Sequence, residues 1–120
     1  MLFNSLPKEL KLSSPLFEFT FKNVKHRVYT QHFTFLIAKP ENKTGIGIIV
    51  AKKKVRHATQ RNVCKRLLRD FYRQKETKDL LQGFTVVVLA TSHANKALKE
   101  DLWHSLNTFT KSFEKQLSVS

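Results

Sequence analysis

Residues 50–73 read VAKKKVRHATQRNVCKRLLRDFYR, and the reading of this stretch decides the rest. Between Lys52 and Arg73 stand nine cations, Lys52, Lys53, Lys54, Arg56, Arg61, Lys65, Arg66, Arg69 and Arg73, against one acid, Asp70. At about 100° per residue, Cys64, Leu67, Leu68 and Phe71 fall on one narrow stripe with Val63 at its edge, which predicts an amphipathic helix. Thr59 is positioned to cap it, and it should end near Gln74. Arg61, Lys65, Arg66, Arg69 and Arg73 fall on the other side, with Asn62 near the middle. Such a helix buries one face and offers a row of cations on the other. A merely solvated face mixes signs, because like charges at i,i+4 repel by a few tenths of a kcal/mol. Here Arg61–Lys65, Lys65–Arg69 and Arg69–Arg73 are all like-charged pairs at that spacing. Local helix stability is given up for a dense positive face, and a polyanion is its natural partner.

The run also resembles the signature of the protein subunit of bacterial ribonuclease P. That signature is a strand ending in small-Lys-Lys, a short loop, then Arg-Asn-Arg with Lys-Arg and a further Arg at helical spacing. It stands here as Ala51, Lys52, Lys53, followed by RNVCKRLLRD from Arg61 to Asp70. Arg61, Asn62, Lys65, Arg66 and Arg69 match. Val63 replaces the usual second Arg, and Asp70 stands where Glu is common. A looser similarity runs from Leu12 to Leu117.

The resemblance implies an α+β fold, an α/β sandwich with one mixed sheet in the order helix–strand–strand–helix–strand–helix. Its crossover passes around the basic helix. The ordinary rule gives a right-handed crossover, whereas the resembled family uses the left-handed form. It implies an RNA-binding subunit of a ribonucleoprotein endonuclease that removes the 5′ leader from precursor tRNA. The partners are then the catalytic RNA and precursor tRNA, and the RNA subunit does the chemistry with bound Mg²⁺. Arg56, Arg61, Asn62, Lys65, Arg66, Arg69 and Arg73 become contacts to the RNA subunit. Asn62 has a second open role, bracing the loop through backbone hydrogen bonds. In the family the first helix lines a cleft for the single-stranded leader, and Phe17 and Phe21 match aromatic positions there. Stacking on unpaired bases is worth about 1–3 kcal/mol each with little sequence preference, and core packing is the competing role for both rings. Lys52 and Lys53, at a strand end, can face either RNA and are grouped with the leader.

The remaining chain frames this stretch. Residues 1–13 read as an irregular lead-in. Ser14-Pro15 reads as a helix start, with Ser as the cap and Pro at the first helical position, and the helix should reach Val24. Its Phe17, Phe19 and Phe21 also fit a strand, and Phe19 is assigned to the core. Residues 27–38 read as one strand of aromatic and β-branched types. Gly45–Ala51 reads as a second, central strand, joined to the first by an antiparallel hairpin through PENKTG. Gly47 marks a bulge or a close approach by RNA or a side chain. The loop that follows holds Lys54, Arg56 and His57, the last placed to touch phosphate. Residues 75–83 are a polar connection with room for a turn of helix. Phe84–Ala90 is a third strand, reached by a path long enough for a parallel crossover. Leu98, Leu102, Leu106, Phe109, Phe113 and Leu117 form the cleanest helical stripe, flanked by Trp103, and should cover the sheet.

The composition bounds the rest. The 120 residues carry a formal charge of +13 and suit one domain, and 41% hydrophobic residues with ten Phe supply one real core. The single Cys64 forms no intramolecular disulfide, which fits a reducing cytoplasm. On the apolar stripe it reads as a small buried hydrophobe rather than a nucleophile. No apolar run approaches the ~20 residues of a membrane span, and MLFNSLPKEL is no signal peptide. The five His are scattered, and no paired-acid motif offers to hold catalytic magnesium. Cleavage of phosphodiesters by the chain alone is therefore not expected, and the chain alone is expected to be a monomer. The alternative reading is a general RNA-binding or ribosomal-type module with no part in tRNA processing.

Overall fold

A computed structural model describes residues 11–119. In chain order they form α1 (Ser14–Lys22), β1 (His26–Tyr29), β2 (Phe33–Ala38), β3 (Gly45–Ile49), α2 (Ala58–Arg73), α3 (Lys75–Leu80), β4 (Thr85–Ala90), a 3-10 turn (Ser92–Lys96) and α4 (Lys99–Val119). Most of the lead-in lies outside the described residues. The part within them is not wholly irregular: Lys11 bridges Ile46 in parallel, and the Leu12 amide donates to the Ile46 carbonyl at 3.2 Å.

The four strands lie in the order β1-β2-β4-β3. Residues 27–38 are thus not one strand but two, β1 and β2, paired antiparallel. The break is made by Thr30, whose amide and hydroxyl both donate to the Phe33 carbonyl, at 2.9 and 2.8 Å. Its flanks are so rich in strand-forming types that a polar three-residue turn is hard to see. The second correction concerns the centre. The expected hairpin between β2 and β3 does not form, because β4 lies between them, antiparallel to β2 and parallel to β3. Val86, Val87 and Val88 are all 0% exposed, so β4 is buried on both faces and takes the middle. Continuous apolar runs belong in doubly covered positions. The glycine-containing β3 is left at the edge, beside the single Lys11–Ile46 bridge, and β3–α2–α3–β4 is the parallel crossover the chain length allowed.

The two sheet faces differ in what covers them. On one, Phe33, Phe35 and Ile37 meet Val86, Val88 and Ile46, and Cys64, Leu68 and Phe71 of α2 and Leu102, Leu106, Phe109 and Phe113 of α4 complete the core. Phe109 is the hub, stacked on Phe35 at 3.9 Å and on Phe113 at 5.7 Å, with an edge contact to Phe71 at 6.1 Å. The stripe of α4 opens at Leu102 rather than Leu98. The Leu98 carbonyl accepts from the Asp101 and Leu102 amides, so this residue sits at the cap and leaves its side chain 61% exposed.

The opposite face carries α1. It is tied to the sheet through Thr20, whose hydroxyl donates to the Leu16 carbonyl at 2.7 Å and meets the Thr85 hydroxyl at 2.8 Å. Phe19, expected in the core, is 37% exposed instead. Residues with small or short side chains on the sheet beneath (Ala38, Gly45, Gly47 and Thr85) let the helix come in on a threonine, which turns Phe19 outward. The starts of both early helices also shift. Ser13, not Ser14, precedes α1, and α2 begins at Ala58 after His57, so Thr59 is inside the helix; neither cap residue makes a side-chain cap bond.

Candidate nucleic-acid interface

The roll of α2 is fixed from below. Cys64 and Leu68 are 0% exposed, and burial pushes the Cys64 thiol above its ordinary pKa, so it serves as packing. That leaves Asn62 and Arg66 exposed and Lys65, Arg69 and Arg73 half-exposed on the upper side. Among the described residues there are three ion pairs, Glu18–Lys22, Asp70–Arg73 and Lys75–Asp79, each within one helix. Lys65, Arg66 and Arg69 therefore meet no carboxylate among these residues. Arg73 does, at 3.7 Å, which makes it the least available cation of the row.

Arg61 has a different task from its neighbours. Its Nη1 donates to the Val55 carbonyl at 3.1 Å and to the Arg56 carbonyl at 2.8 Å, tying down the loop before α2. The bracing role open to Asn62 is thus carried by Arg61, while Asn62 makes no side-chain hydrogen bond to the described residues. Val55, fully buried, plugs the loop into the core. The Arg56 amide donates to Asn95 Oδ1 at 2.9 Å, and Gln60 Nε2 donates to the Ala94 and Ala97 carbonyls at 2.9 and 3.0 Å. Loop, helix start and 3-10 turn are one locked unit, and the Arg56 side chain is held at its exposed surface. Sequence reasoning missed this clamp because Gln60 and its partners lie far apart in the chain.

A second surface lies on the α1 face of the sheet. There α1 leaves part of the sheet uncovered, and Thr34, Leu36, Ile49 and Leu89 floor a groove of about 530 Å³. Lys54, Thr91, Ser92 and His93 rim it. Lys52 and Lys53 are exposed in the turn after β3, but the lysine that lines this groove is Lys54. No sequence pattern singles out Lys54 or His93 for this rim, since their approach depends on the turn after β3 and on the 3-10 turn.

Phe17 is half-buried on Gly47, where an added Cβ would overlap its ring. Gly47 is therefore the seat for this side chain, which decides among the roles left open for it. The ring also shares a small hollow of about 250 Å³ at the β3 edge with Lys11, Leu12, Ile46, Ile48 and Arg69. An aromatic of α1 and a cation of α2 thus meet there. Phe21 is 44% exposed. Gly47→Ala forces the ring off its seat and should lower stability by about 1–3 kcal/mol, as overpacking does. Denaturant melts check it, and adding Phe17→Ala should recover part of the loss.

His32 is buried with its Nδ1 2.7 Å from Ser105 Oγ. Loss of water lowers its pKa from 6.5; the Asp101 charge opposes this, and His93 and His104 add to it. The folded state holds the ring neutral, whereas the unfolded chain takes up a proton below its ordinary value. Stability should thus fall as pH drops through 6.5 toward the folded pKa, by at most about 1.4 kcal/mol per pH unit. Urea midpoints measured across that window check it, and His32→Asn should flatten the dependence.

No group of three or more His, Cys, Asp or Glu among the described residues converges on a metal-sized site. No helix among the described residues is long and apolar enough to cross a membrane.

The family model described as Ribonuclease P matches residues 6–114. The chain is 33% identical over 119 residues to the ribonuclease P protein component of Pseudoalteromonas atlantica, covering 98% of this chain and 97% of that one. The ribonuclease P protein from Thermotoga maritima superposes with a TM-score of 0.64 at 25% identity, over 82% of this chain and 93% of that one. The ribonuclease P protein from Staphylococcus aureus superposes with a TM-score of 0.72 over 90% and 92%, and at 24% identity it speaks for the fold alone.

Proposed function

The chain belongs to the ribonuclease P protein family, and from that premise we propose how its two surfaces divide the work of tRNA maturation. It acts as the protein component of ribonuclease P, the endoribonuclease complex that processes tRNA 5′ ends. In the division proposed here the catalytic RNA does the cutting, and Arg56, Arg61, Asn62, Lys65, Arg66, Arg69 and Arg73 form the side that lies on that RNA. The observation that carries this is the run Lys65, Arg66 and Arg69, set on a helix with a buried underside and facing no carboxylate among the described residues. Cations so placed displace the counterions condensed on phosphates, which makes binding strong and salt-dependent. They position RNA and read no sequence.

The groove on the α1 face takes the single-stranded 5′ leader of precursor tRNA. Phe17 and Phe21 of α1, on the same face of the sheet, offer ring faces, and Lys54 on the groove rim, with Lys52 and Lys53 in the same turn, offers cations toward its phosphates. Substrate with a leader gains interactions that mature tRNA lacks, so the protein favours substrate over product. Mg²⁺ is held by the RNA–substrate complex and supplies the chemistry of phosphodiester hydrolysis there. The protein's part is to screen repulsion between two RNAs and so lower the Mg²⁺ required. The chain works as one domain and as a monomer when apart from RNA, in the cytoplasm.

The test is cleavage of precursor tRNA by bacterial ribonuclease P RNA at low Mg²⁺, with and without the chain. Stimulation is expected, together with tighter binding of leader-bearing than of mature tRNA. No stimulation would remove the proposal. Equal binding of both tRNAs would favour the general RNA-binding reading. Cleavage by the chain alone would make it a nuclease in its own right.

A further inference from the structure

We propose that the notch between α2 and α4 beside Trp103 is a further RNA contact, which holds one unpaired nucleobase of the RNA subunit stacked on the indole. The notch has a volume of about 150 Å³ and is lined by Val63, Leu67 and Trp103 with Arg66, Asp70 and Lys99. That is room for one planar heterocycle rather than for a helix or a folded peptide. Trp103 is half-buried, and its ring is steadied by an edge contact to Phe71 at 6.4 Å and 69°.

The chemistry of the rim selects the occupant. Arg66 and Lys99 are both exposed, and neither forms an ion pair among the described residues, where Asp70 pairs with Arg73. An apolar floor beside an aromatic edge, with two free cations above it, suits a flat base attached to a phosphate. Stacking on an aromatic side chain is the usual way in which proteins hold unpaired bases. Arg66 also belongs to the basic face of α2, so a strand lying on that face reaches the notch without leaving the protein. The Asp70 carboxylate accepts a hydrogen bond from an exocyclic amine, which favours bases that carry one.

Val63 gives the notch its character. An Arg there, as the family signature has, would lay its stem along the floor. Valine keeps the floor short, apolar and open. The notch lies on the α2–α4 side of the sheet, away from the α1 groove, so it is separate from the leader site. The proposal rests on the reading that the RNA subunit lies against α2.

Trp103 is the single tryptophan of the chain, so its emission reports on this notch alone. The experiment titrates the full chain with ribonuclease P RNA and follows tryptophan emission beside an independent binding measurement. Quenching is expected, with the same midpoint as binding. Trp103→Leu should weaken binding roughly tenfold with circular dichroism unchanged. Val63→Arg should abolish the quenching even though it adds a cation. RNA binding and stimulated cleavage with unaltered emission would overturn the proposal and leave the ribonuclease P reading intact. So would a Val63→Arg chain that binds more tightly and quenches as before. A chain that neither binds the RNA nor stimulates cleavage would overturn both.

Discussion

Replacing Lys65, Arg66 and Arg69 together by alanine lowers the slope of log affinity for the RNA subunit against log salt by about 2–3 units, at roughly 0.7–0.9 for each phosphate left without its cation. The drop in affinity is greatest in low salt, where counterion release contributes most. Folding is not the cause. All three side chains lie on the open side of α2, none meets a carboxylate among the described residues, and the apolar underside is untouched. Removing Lys65 and Arg69 also relieves like-charged i,i+4 pairs, so the thermal midpoint should hold or rise slightly. Arg61→Ala should behave differently. It releases the Val55 and Arg56 carbonyls and loosens the loop, so part of its effect should appear as reduced stability. An unchanged slope in the triple variant would mean that the face points to water.

The largest stability effect is expected at Phe109→Ala, about 3–5 kcal/mol, the range for emptying a buried aromatic site. Phe109 is fully buried where β2, α2 and α4 converge, against Phe35, Phe71 and Phe113. Domains are stable by about 5–15 kcal/mol in total, so the variant should stand near the edge of folding at 37 °C. Because Phe109 also sets the seat of α2, RNA affinity should fall with stability and return when folding is restored at lower temperature. A shift in urea midpoint worth under about 1 kcal/mol would show that the core does not centre there.

These two expectations differ in how much of them the sequence showed. The basic helix was legible almost residue by residue, because a 3.6-residue period and a one-sided charge distribution are local properties. The α4 stripe was legible for the same reason, apart from Leu98, where the cap geometry overrides the period. The sheet was not, since pairing is non-local. The central place of β4 follows from its burial on both faces, which outweighs the short link that favoured joining β2 to β3. The Thr30 turn was hidden by strand-forming neighbours. In the candidate site, the close approach open to Gly47 is made by the Phe17 ring, a pairing of residues thirty positions apart that no local pattern shows. Lys54, His93 and the Gln60 clamp depend on the 3-10 turn reaching the loop before α2, which no local pattern encodes.

The most direct test of the central claim is tethered cleavage from chosen positions on the protein in the assembled complex with precursor tRNA. The native Cys64 is buried, so a cysteine placed at Lys65 or at His93 can carry a hydroxyl-radical source without competition from it. The account predicts discrete cuts in the RNA subunit from position 65 and cuts in the 5′ leader from position 93. Leader cuts from position 65, or no localised cuts from either, would contradict it.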